Sequence, residues 1–216
     1  MEILLEVWGD FACFTQPWSK VERLSAPFPT PSAARGILSA IYMKPSEFTW
    51  QINRIEVLNP IQYIGFKRNE VKCTVSNSPI FADDNDVRTQ RQTIALKDVR
   101  YRIAASILPR PAYVGKEKQL YEQALRRIRG GKAYAQPGLG MREFVGYFEE
   151  SDLTRKPIDL DMDAGLMVYD VFDQRDPAVQ KKAKPRLALF HAVMKQGVIQ
   201  VPPYDSLEVL KGEFTC

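Results

Sequence analysis

Two glycines and an arginine stand close together in residues 136–142, which read Gln-Pro-Gly-Leu-Gly-Met-Arg. Glycine lets backbone N–H groups approach a ligand closely, and neighbouring amides of this kind bind phosphate. We therefore take Gly138 and Gly140 as candidate phosphate contacts, with the guanidinium of Arg142 to neutralise the charge. A tight turn requires the same glycines, so the segment fits either an anion-binding site or a structural turn.

Positive charge is concentrated in one stretch of the chain. Residues 100–132 include nine basic and two acidic side chains, a net charge of +7, whereas the whole chain carries +4. The basic residues are Arg100, Arg102, Arg110, Lys116, Lys118, Arg126, Arg127, Arg129 and Lys132. Concentrated positive charge suits a polyanion such as nucleic acid, and Arg126, Arg127 and Arg129 share one predicted helix. The alternative is an arginine-rich helix face that is exposed to water.

The elements that must position these residues are predicted in the order β-α-β-β-α-β. Apolar residues at alternate positions predict strands over residues 3–8, 48–66, 93–108 and 142–148. One helix is predicted from a cap at Thr30 or Ser32 to Lys44, and a second over residues 117–129, before a pair of glycines. This order predicts an α+β, ferredoxin-like (RRM-like) domain over residues 1–150. Such a sheet with a basic helix is a common platform for single-stranded RNA.

Two segments are predicted to lie outside this core. Residues 67–92 are polar and offer few apolar side chains, which predicts an exposed and partly mobile hairpin. Residues 151–216 contain short apolar runs and a turn at Lys195-Gln196-Gly197. This pattern predicts a small C-terminal antiparallel β appendage.

Composition excludes several classes of protein. The 216 residues, 45% of them hydrophobic, suffice for a folded core, and no run approaches the ~18 apolar residues of a membrane span. Acidic residues near the N-terminus do not match a signal peptide, so a cytoplasmic location is expected. Three widely spaced cysteines and a single histidine, His191, favour neither a disulfide framework nor a zinc site. We expect no metal and no cofactor, and we interpret His191 as a structural residue of an alternating strand.

Six segments, in this order along the chain, resemble the CRISPR-associated Cas five family, subtype I-C. They are Trp-Gly-Asp-Phe-Ala-Cys-Phe-Thr at 8–15, Pro-Ser-Ala-Ala-Arg-Gly-Ile-Leu at 31–38, Ala-Ile-Tyr-Met-Lys-Pro at 40–45, Lys-Arg-Asn-Glu-Val at 67–71, Gln-Pro-Gly-Leu-Gly-Met-Arg-Glu-Phe at 136–144 and Ala-Val-Met-Lys-Gln-Gly-Val-Ile at 192–199. The resemblance implies a ferredoxin-like domain with a C-terminal β appendage. It also implies metal-independent cleavage of precursor crRNA within the repeat. The protein then stays bound to the 5′ handle in a Cascade complex with backbone and large subunits.

Such cleavage makes three demands on the protein. The attacking 2′-OH must lose a proton, the phosphorane must be stabilised, and the 5′-oxygen must leave, ideally protonated. Family members carry a tyrosine in an I-Y/H-x-K-P motif, here Tyr42, and often a Lys-His pair before the second helix. This sequence has Lys116, Glu117 and Lys118 there, without a histidine. The resemblance therefore implies Tyr42 with Lys116 or Lys118 as catalytic residues, while Arg35 is either a phosphate contact or a salt-bridge partner.

The missing histidine leaves a second function open. In that alternative the protein is a non-catalytic subunit that binds the 5′ handle and helps Cascade to assemble, and another protein matures the RNA. A generic RRM-type regulator of host RNA is a third possibility. It explains the basic stretch but not the six segments.

Overall fold

The structure is a computed structural model that describes residues 1–19, 21–72, 87–172 and 187–212. In chain order its elements are β1 (Glu2–Ala12), β2 (Arg23–Leu24), α1 (Pro31–Ile41), β3 (Phe48–Val57), β4 (Tyr63–Val71), β5 (Arg88–Pro109), the 3-10 turn Pro111–Tyr113, α2 (Glu117–Arg129), β6 (Tyr147–Glu150), β7 (Met162–Asp170), β8 (Ala188–Lys195), β9 (Val198–Gln200) and β10 (Leu210–Lys211). They form a mostly antiparallel sheet with two α-helices, so the predicted α+β class is confirmed. No helix within the described ranges is long and apolar enough to cross a membrane.

Helix α1 begins where the sequence predicts. The Oγ1 of Thr30 accepts a hydrogen bond from the backbone N–H of Ala33 at 3.1 Å, and Pro31 occupies the first turn. The face that includes Ile37, Leu38 and Ile41 is buried. Regular helix ends at Ile41 because the next residue adopts an extended backbone, so the predicted end at Lys44 is three residues late.

Helix α2 has the predicted bounds. Leu120, Ala124 and Ile128 are buried, whereas Tyr121 and Leu125 pack against the core from a partly exposed position. Ridges at i and i+4 therefore face the sheet. The three arginines of the last turn consequently lie at the side or on the outer surface of the helix.

The long strand β5 organises the sheet. Both β1 and β3 pair with it in antiparallel register, and the path through the sheet is β10-β8-β9-β3-β5-β1-β6. Strand β9 pairs with β3, where Ile199 lies opposite Ile55. The strands that follow residue 151 thus continue the main sheet, and the division of the chain at residue 150 stays a prediction.

The predicted hairpin is built by β4 and the first part of β5. The two strands pair from Tyr63 opposite Leu96 to Val71 opposite Arg88. Side chains along β4 alternate between exposed and half-buried, which is the pattern of a strand with little core to cover. The predicted mobility concerns chiefly residues 73–86, which lie outside the described residues.

The prediction of a strand over residues 142–148 is wrong in its position. Strand β6 begins at Tyr147, because the preceding residues fold back on themselves. The backbone N–H of Leu139 donates to the carbonyl of Phe144 at 2.8 Å, and Gly138 forms an isolated bridge with Val145. Buried Leu139 and Phe144 hold this loop against the core. Its apolar residues produce an alternating pattern without forming a strand.

The two faces of the sheet have different chemistry. Ile3, Leu5 and Val7 of β1 enter the apolar core, and the alternate residues point to the opposite face. On that opposite face Glu6 is buried and lies in register with Arg102 of β5. We call the buried charged residues Glu6, Glu56 and Arg102 the ionic layer. Each of these charges needs a partner, because an isolated buried charge is strongly unfavourable.

Arg102 is the centre of this ionic layer. Its guanidinium donates to Oε2 of Glu56 at 2.5 Å, to Oγ of Ser151 at 2.6 Å and to the carbonyl of Arg155 at 2.8 Å. Oε2 of Glu6 lies 3.7 Å from the same guanidinium. Arg102 therefore links β1, β3 and β5 to the segment that follows β6.

We predict that Arg102→Met lowers the free energy of unfolding by about 2–3 kcal/mol, because Oε2 of buried Glu56 loses its charged donor while Arg54 still pairs with Glu56 and Arg100 with Glu6. The matched control is Arg155→Met. The Arg155 guanidinium is exposed and lies 3.5 Å from Glu6, and exposed pairs contribute at most about 1 kcal/mol. Urea denaturation at neutral pH measures both variants. Similar small losses in the two would contradict the central role of Arg102.

Candidate active site

Two connections of the chain meet at one corner of the sheet. The pairing of β3 with β5 continues to their ends, where Phe48 lies opposite Pro109. Just beyond, the backbone N–H of Arg110 donates to the carbonyl of Glu47 at 2.7 Å, and its Nε donates to the carbonyl of Pro45 at 3.1 Å. The turn between α1 and β3 is thereby fixed against the connection between β5 and α2. Tyr42 stands on the first connection and Lys116 on the second.

Tyr42 follows the last residue of α1 and is 5% exposed. Its ring packs on Phe48, with 5.2 Å between the centroids, and the guanidinium carbon of Arg127 lies 6.0 Å from the ring centroid. Burial raises the pKa of the Tyr42 phenol, against a smaller opposing effect of the Lys44 ammonium. At neutral pH the phenol is therefore uncharged, and it can donate a hydrogen bond.

The two candidate lysines have different environments. Lys116 directly precedes α2, and its ammonium lies 5.0 Å from the ring centroid of Tyr113, which belongs to the connection after β5. Lys118 is largely exposed, and its Nζ is 3.9 Å from Oε1 of Glu122 on the helix surface. The structure thus brings Lys116 to the corner occupied by the α1–β3 turn, while Lys118 extends along α2.

Glu117 lies between the two candidate lysines, and it has a structural role here. Its Oε1 accepts a hydrogen bond from the backbone N–H of Gly115 at 3.0 Å. Backbone hydrogen bonds from Gly115 and from Glu117 itself lower the pKa of this carboxyl. An ionised carboxylate in the first turn also stabilises the helix dipole. Glu117 is therefore a helix-capping anion at neutral pH and cannot act as a proton donor.

Lys44 is a cation of this corner to which the sequence analysis assigned no role. Its Nζ lies 2.7 Å from Oε1 of Glu47, and this hydrogen bond is the main cause of a raised pKa of Lys44. The phenols of Tyr42 and Tyr113 raise it further. The short distance in sequence between Tyr42 and Lys44 was the available signal.

Three of the candidate arginines make contacts within the protein. Arg35 pairs with Asp170 through two hydrogen bonds of 2.9 and 3.0 Å, so the salt-bridge alternative is realised in the structure. The Nε of Arg127 donates to the carbonyl of Ile41 at 2.9 Å and thereby connects α2 to the end of α1. Arg129 pairs with Glu150 of β6, with hydrogen bonds of 2.5 and 2.9 Å.

Arg126 and Arg142 differ from these three. Arg126 is exposed, and its terminal nitrogen donates to the neutral side chain of Gln123 at 2.6 Å. Arg142 is exposed in the loop before β6. Within the part of the chain that the structure describes, no carboxylate pairs with either of them. Their full charge is therefore available to a polyanion.

Gly138 and Gly140 are packed against the protein. A Cβ at Gly140, which has φ +86°, would lie 2.0 Å from the carbonyl oxygen of Cys13. A Cβ at Gly138 would lie 2.9 Å from the carbonyl oxygen of Met141. Between them, the carbonyl of Leu139 accepts a hydrogen bond from the N–H of Cys13 at 2.9 Å. Gly140 is thus required by the close contact of this loop with the end of β1, and Gly138 by the tight fold of the loop itself, which accounts for both without a ligand.

Comparison with known proteins places this geometry in a family. A family model described as CRISPR-associated protein (Cas_Cas5) matches residues 2–202. The CRISPR pre-crRNA endoribonuclease Cas5d of Thermus thermophilus is 38% identical to this chain, and the match covers 97% of this chain and 95% of that protein. The CRISPR pre-crRNA endoribonuclease Cas5d of Mannheimia succiniciproducens is 36% identical to this chain, and the match covers 96% of this chain and 97% of that protein.

A solved CRISPR-associated protein has the same fold, with a TM-score of 0.69, 23% identity and coverage of 97% of this chain and 96% of that one. The family match over most of the length and the two relatives above 30% identity agree with the six segments that carry the resemblance. This chain belongs to the Cas5 family of CRISPR-associated proteins, in its Cas5d branch.

Proposed function

We propose that this protein is a pre-crRNA endoribonuclease that cleaves the repeat without a metal. It then remains on the 5′ handle of the crRNA in a cytoplasmic Cascade complex with backbone and large subunits. The observation that carries the proposal is the corner where a buried, neutral Tyr42 lies next to the connection that carries Lys116. Relatives that match nearly the whole chain are named as pre-crRNA endoribonucleases, which supports the same activity.

The finer fold assignment is part of this proposal. The elements β1, α1, β3, β5, α2 and β6 follow in the order β-α-β-β-α-β, and in space the strands run β6-β1-β5-β3. Antiparallel pairing throughout these four strands supports a ferredoxin-like core. We further propose that residues 1–150 form this RNA-binding domain and residues 151–216 the β subdomain attached to it.

The chemistry proceeds by attack of the 2′-oxygen on the adjacent phosphorus. The new O–P bond forms as the bond to the 5′-oxygen breaks, which leaves a 2′,3′-cyclic phosphate and a 5′-hydroxyl. Tyr42, being neutral, orients the reacting groups by donating a hydrogen bond. Lys116 or Lys118 stabilises the phosphorane, and the environment of Lys116 favours it for this role.

RNA binding outside the reacting groups rests on the remaining candidate residues. Arg126 and Arg142 offer exposed charge without a paired carboxylate among the described residues, so they are the strongest proposed contacts. Arg35, Arg127 and Arg129 also remain proposed contacts, although each already hydrogen-bonds within the protein. The amides around Gly138 and Gly140 also remain proposed contacts, although the N–H of Leu139 between them already donates to the carbonyl of Phe144.

A non-catalytic handle-binding and assembly subunit is the second candidate function. The observation that favours it is the segment Lys116-Glu117-Lys118, which has no histidine and in which the Glu117 carboxylate is held by the N–H of Gly115. Incubation of the purified protein with its cognate repeat RNA in EDTA separates the two functions. A discrete product with a 2′,3′-cyclic phosphate end supports the enzyme, and binding without cleavage supports the assembly subunit.

We predict that Tyr42→Phe slows single-turnover cleavage by about 10² or more, because the phenolic hydroxyl takes part in the transition state. Affinity for the repeat should be nearly unchanged, since no charge is lost. The control is Tyr63→Phe, which removes a hydroxyl from the half-exposed β4. Full activity of Tyr42→Phe would remove this tyrosine from the mechanism.

The cleavage rate should rise steadily from about pH 6 to about pH 9, without an inflection near the ordinary histidine pKa of ~6.5. Ionisation of the attacking hydroxyl increases with pH. The raised pKa keeps Tyr42 in its neutral, donating form through this range, so it causes no loss of rate there. His191, which is exposed and hydrogen-bonded to Asp163 at 2.7 Å, should be replaceable by alanine without effect. A bell-shaped profile that His191→Ala abolishes would make the histidine catalytic.

Arg126→Gln should make RNA binding less sensitive to salt. Loss of one phosphate contact reduces the slope of log affinity against log salt concentration by about 0.7 for a single strand. Arg129→Gln should change the slope less, because Glu150 already neutralises that guanidinium. Binding titrations at several salt concentrations measure both slopes. Equal slopes for Arg126→Gln and the unmodified protein would show that this face of α2 does not contact RNA.

A further inference from the structure

A narrow cleft lies beside the corner that holds Tyr42, between the end of α1, the start of β3 and the end of β5. Its polar lining residues are Arg35, Ser39, Lys44, Thr49 and Arg110. Three of these are cations, and no acidic residue lines the cleft among the described residues. The buried rings of Phe48 and Trp50 form its apolar floor. The cleft therefore combines charged donors and hydroxyls on a rigid base.

The three cations are held in defined positions. Asp170, itself 3% exposed, fixes Arg35 through Nε and one terminal nitrogen. Nε of Arg110 donates to the carbonyl of Pro45. Lys44 is held by Glu47 in a partly exposed ion pair. Such pairs are weak, so a phosphate can compete with Glu47 for the Lys44 ammonium. Two of the three cations are thus positioned by carboxylates that do not line the cleft, and Arg110 is positioned by a backbone carbonyl.

The chemistry of the cleft suits a phosphate better than a base or a peptide. Guanidinium and ammonium groups with two hydroxyls are the donors that bind phosphate oxygens. Trp50 is only 5% exposed, so a nucleobase has no open ring face on which to stack. Lys44 lies near enough to Tyr42 for its ammonium to lower the pKa of the phenol, against the larger effect of burial, so an RNA that reacts at Tyr42 passes the cleft within a short distance.

We propose that Lys44 and Arg110 form a second phosphate-binding site, which holds a backbone phosphate adjacent to the scissile one. Arg35 supports the site electrostatically from the back of the cleft. The two residues position the RNA and do not touch the reacting atoms. This inference rests on the proposed function, because the phosphate belongs to the same repeat RNA that Tyr42 cleaves.

The test combines protein variants with chemically altered RNA. Repeat RNAs that each carry one methylphosphonate, which removes the charge of a single phosphate, are scanned through the nucleotides around the cut. In the unmodified protein, one position other than the scissile phosphate should weaken binding about tenfold or more, as expected for loss of a charge-assisted contact. Lys44→Gln and Arg110→Gln should each weaken binding of unmodified RNA similarly and be insensitive to the methylphosphonate at that position.

Rate measurements separate positioning from a part in the chemistry. At saturating RNA, Lys44→Gln should lose much less of the single-turnover rate than the about 10²-fold loss expected for Tyr42→Phe. The control is Lys97→Gln, since Lys97 is also an exposed lysine paired with a carboxylate but lies in a distant part of β5. Thermal denaturation checks folding. Should Arg110→Gln fail to fold, the exposed Lys44→Gln still carries the test.

The outcomes distinguish this inference from the function on which it rests. Normal binding and cleavage with unchanged affinity in Lys44→Gln and Arg110→Gln would overturn the second phosphate site alone. The second phosphate site would also be overturned if both variants bind RNA more weakly but stay as sensitive to each methylphosphonate as the unmodified protein. The contact that these variants lost would then not be a contact with a phosphate. A wild-type protein that does not bind its repeat RNA would remove the proposed function, and this inference with it.

Discussion

The register of β3 on β5 is the constraint on which the candidate site depends. Pairing reaches Phe48 at the start of β3 and Pro109 at the end of β5. The connection that enters β3 and the connection that leaves β5 therefore meet at one corner. Hydrogen bonds from Arg110 to Glu47 and Pro45 extend that contact beyond the sheet. Neither connection alone holds a catalytic group in place. A slip of one residue would turn every side chain of β3 to the other face and separate the two connections.

The ionic layer on the opposite face is one reason to propose that RNA binds at this corner and not on the open sheet. In RRM domains, aromatic residues of the sheet stack on bases. Here Arg102 and Glu6 are buried beneath Ser151 and the segment that contains Arg155. This central part of the sheet face is used for folding. The corner with Tyr42 and the outer side of α2 are basic surfaces that this layer leaves exposed, and both carry proposed RNA contacts.

Local signals predicted the helices well and the contacts of charged residues poorly. Thr30 and Pro31 define the start of α1 through contacts within one helical turn, so neighbouring residues in the sequence suffice to predict where this helix begins. Arg35 instead pairs with Asp170, 135 residues away, and only the sheet topology brings α1 and β7 together. Gly140 was open to two interpretations for the same reason, since the carbonyl of Cys13 that excludes a side chain comes from the end of β1.

In the proposed mechanism, the absence of a histidine from the segment Lys116-Glu117-Lys118 limits the kind of catalysis that the corner can provide. The carboxylate is held by backbone N–H groups in its ionised form, so it stabilises α2 and transfers no proton. What remains is a neutral phenol and fixed cations, which act by orientation and electrostatic stabilisation. A protein that keeps its product needs a single turnover for each RNA molecule. Strong binding of the cleaved handle then matters more than a high turnover number, and the distribution of cations around Tyr42 serves both binding and cleavage.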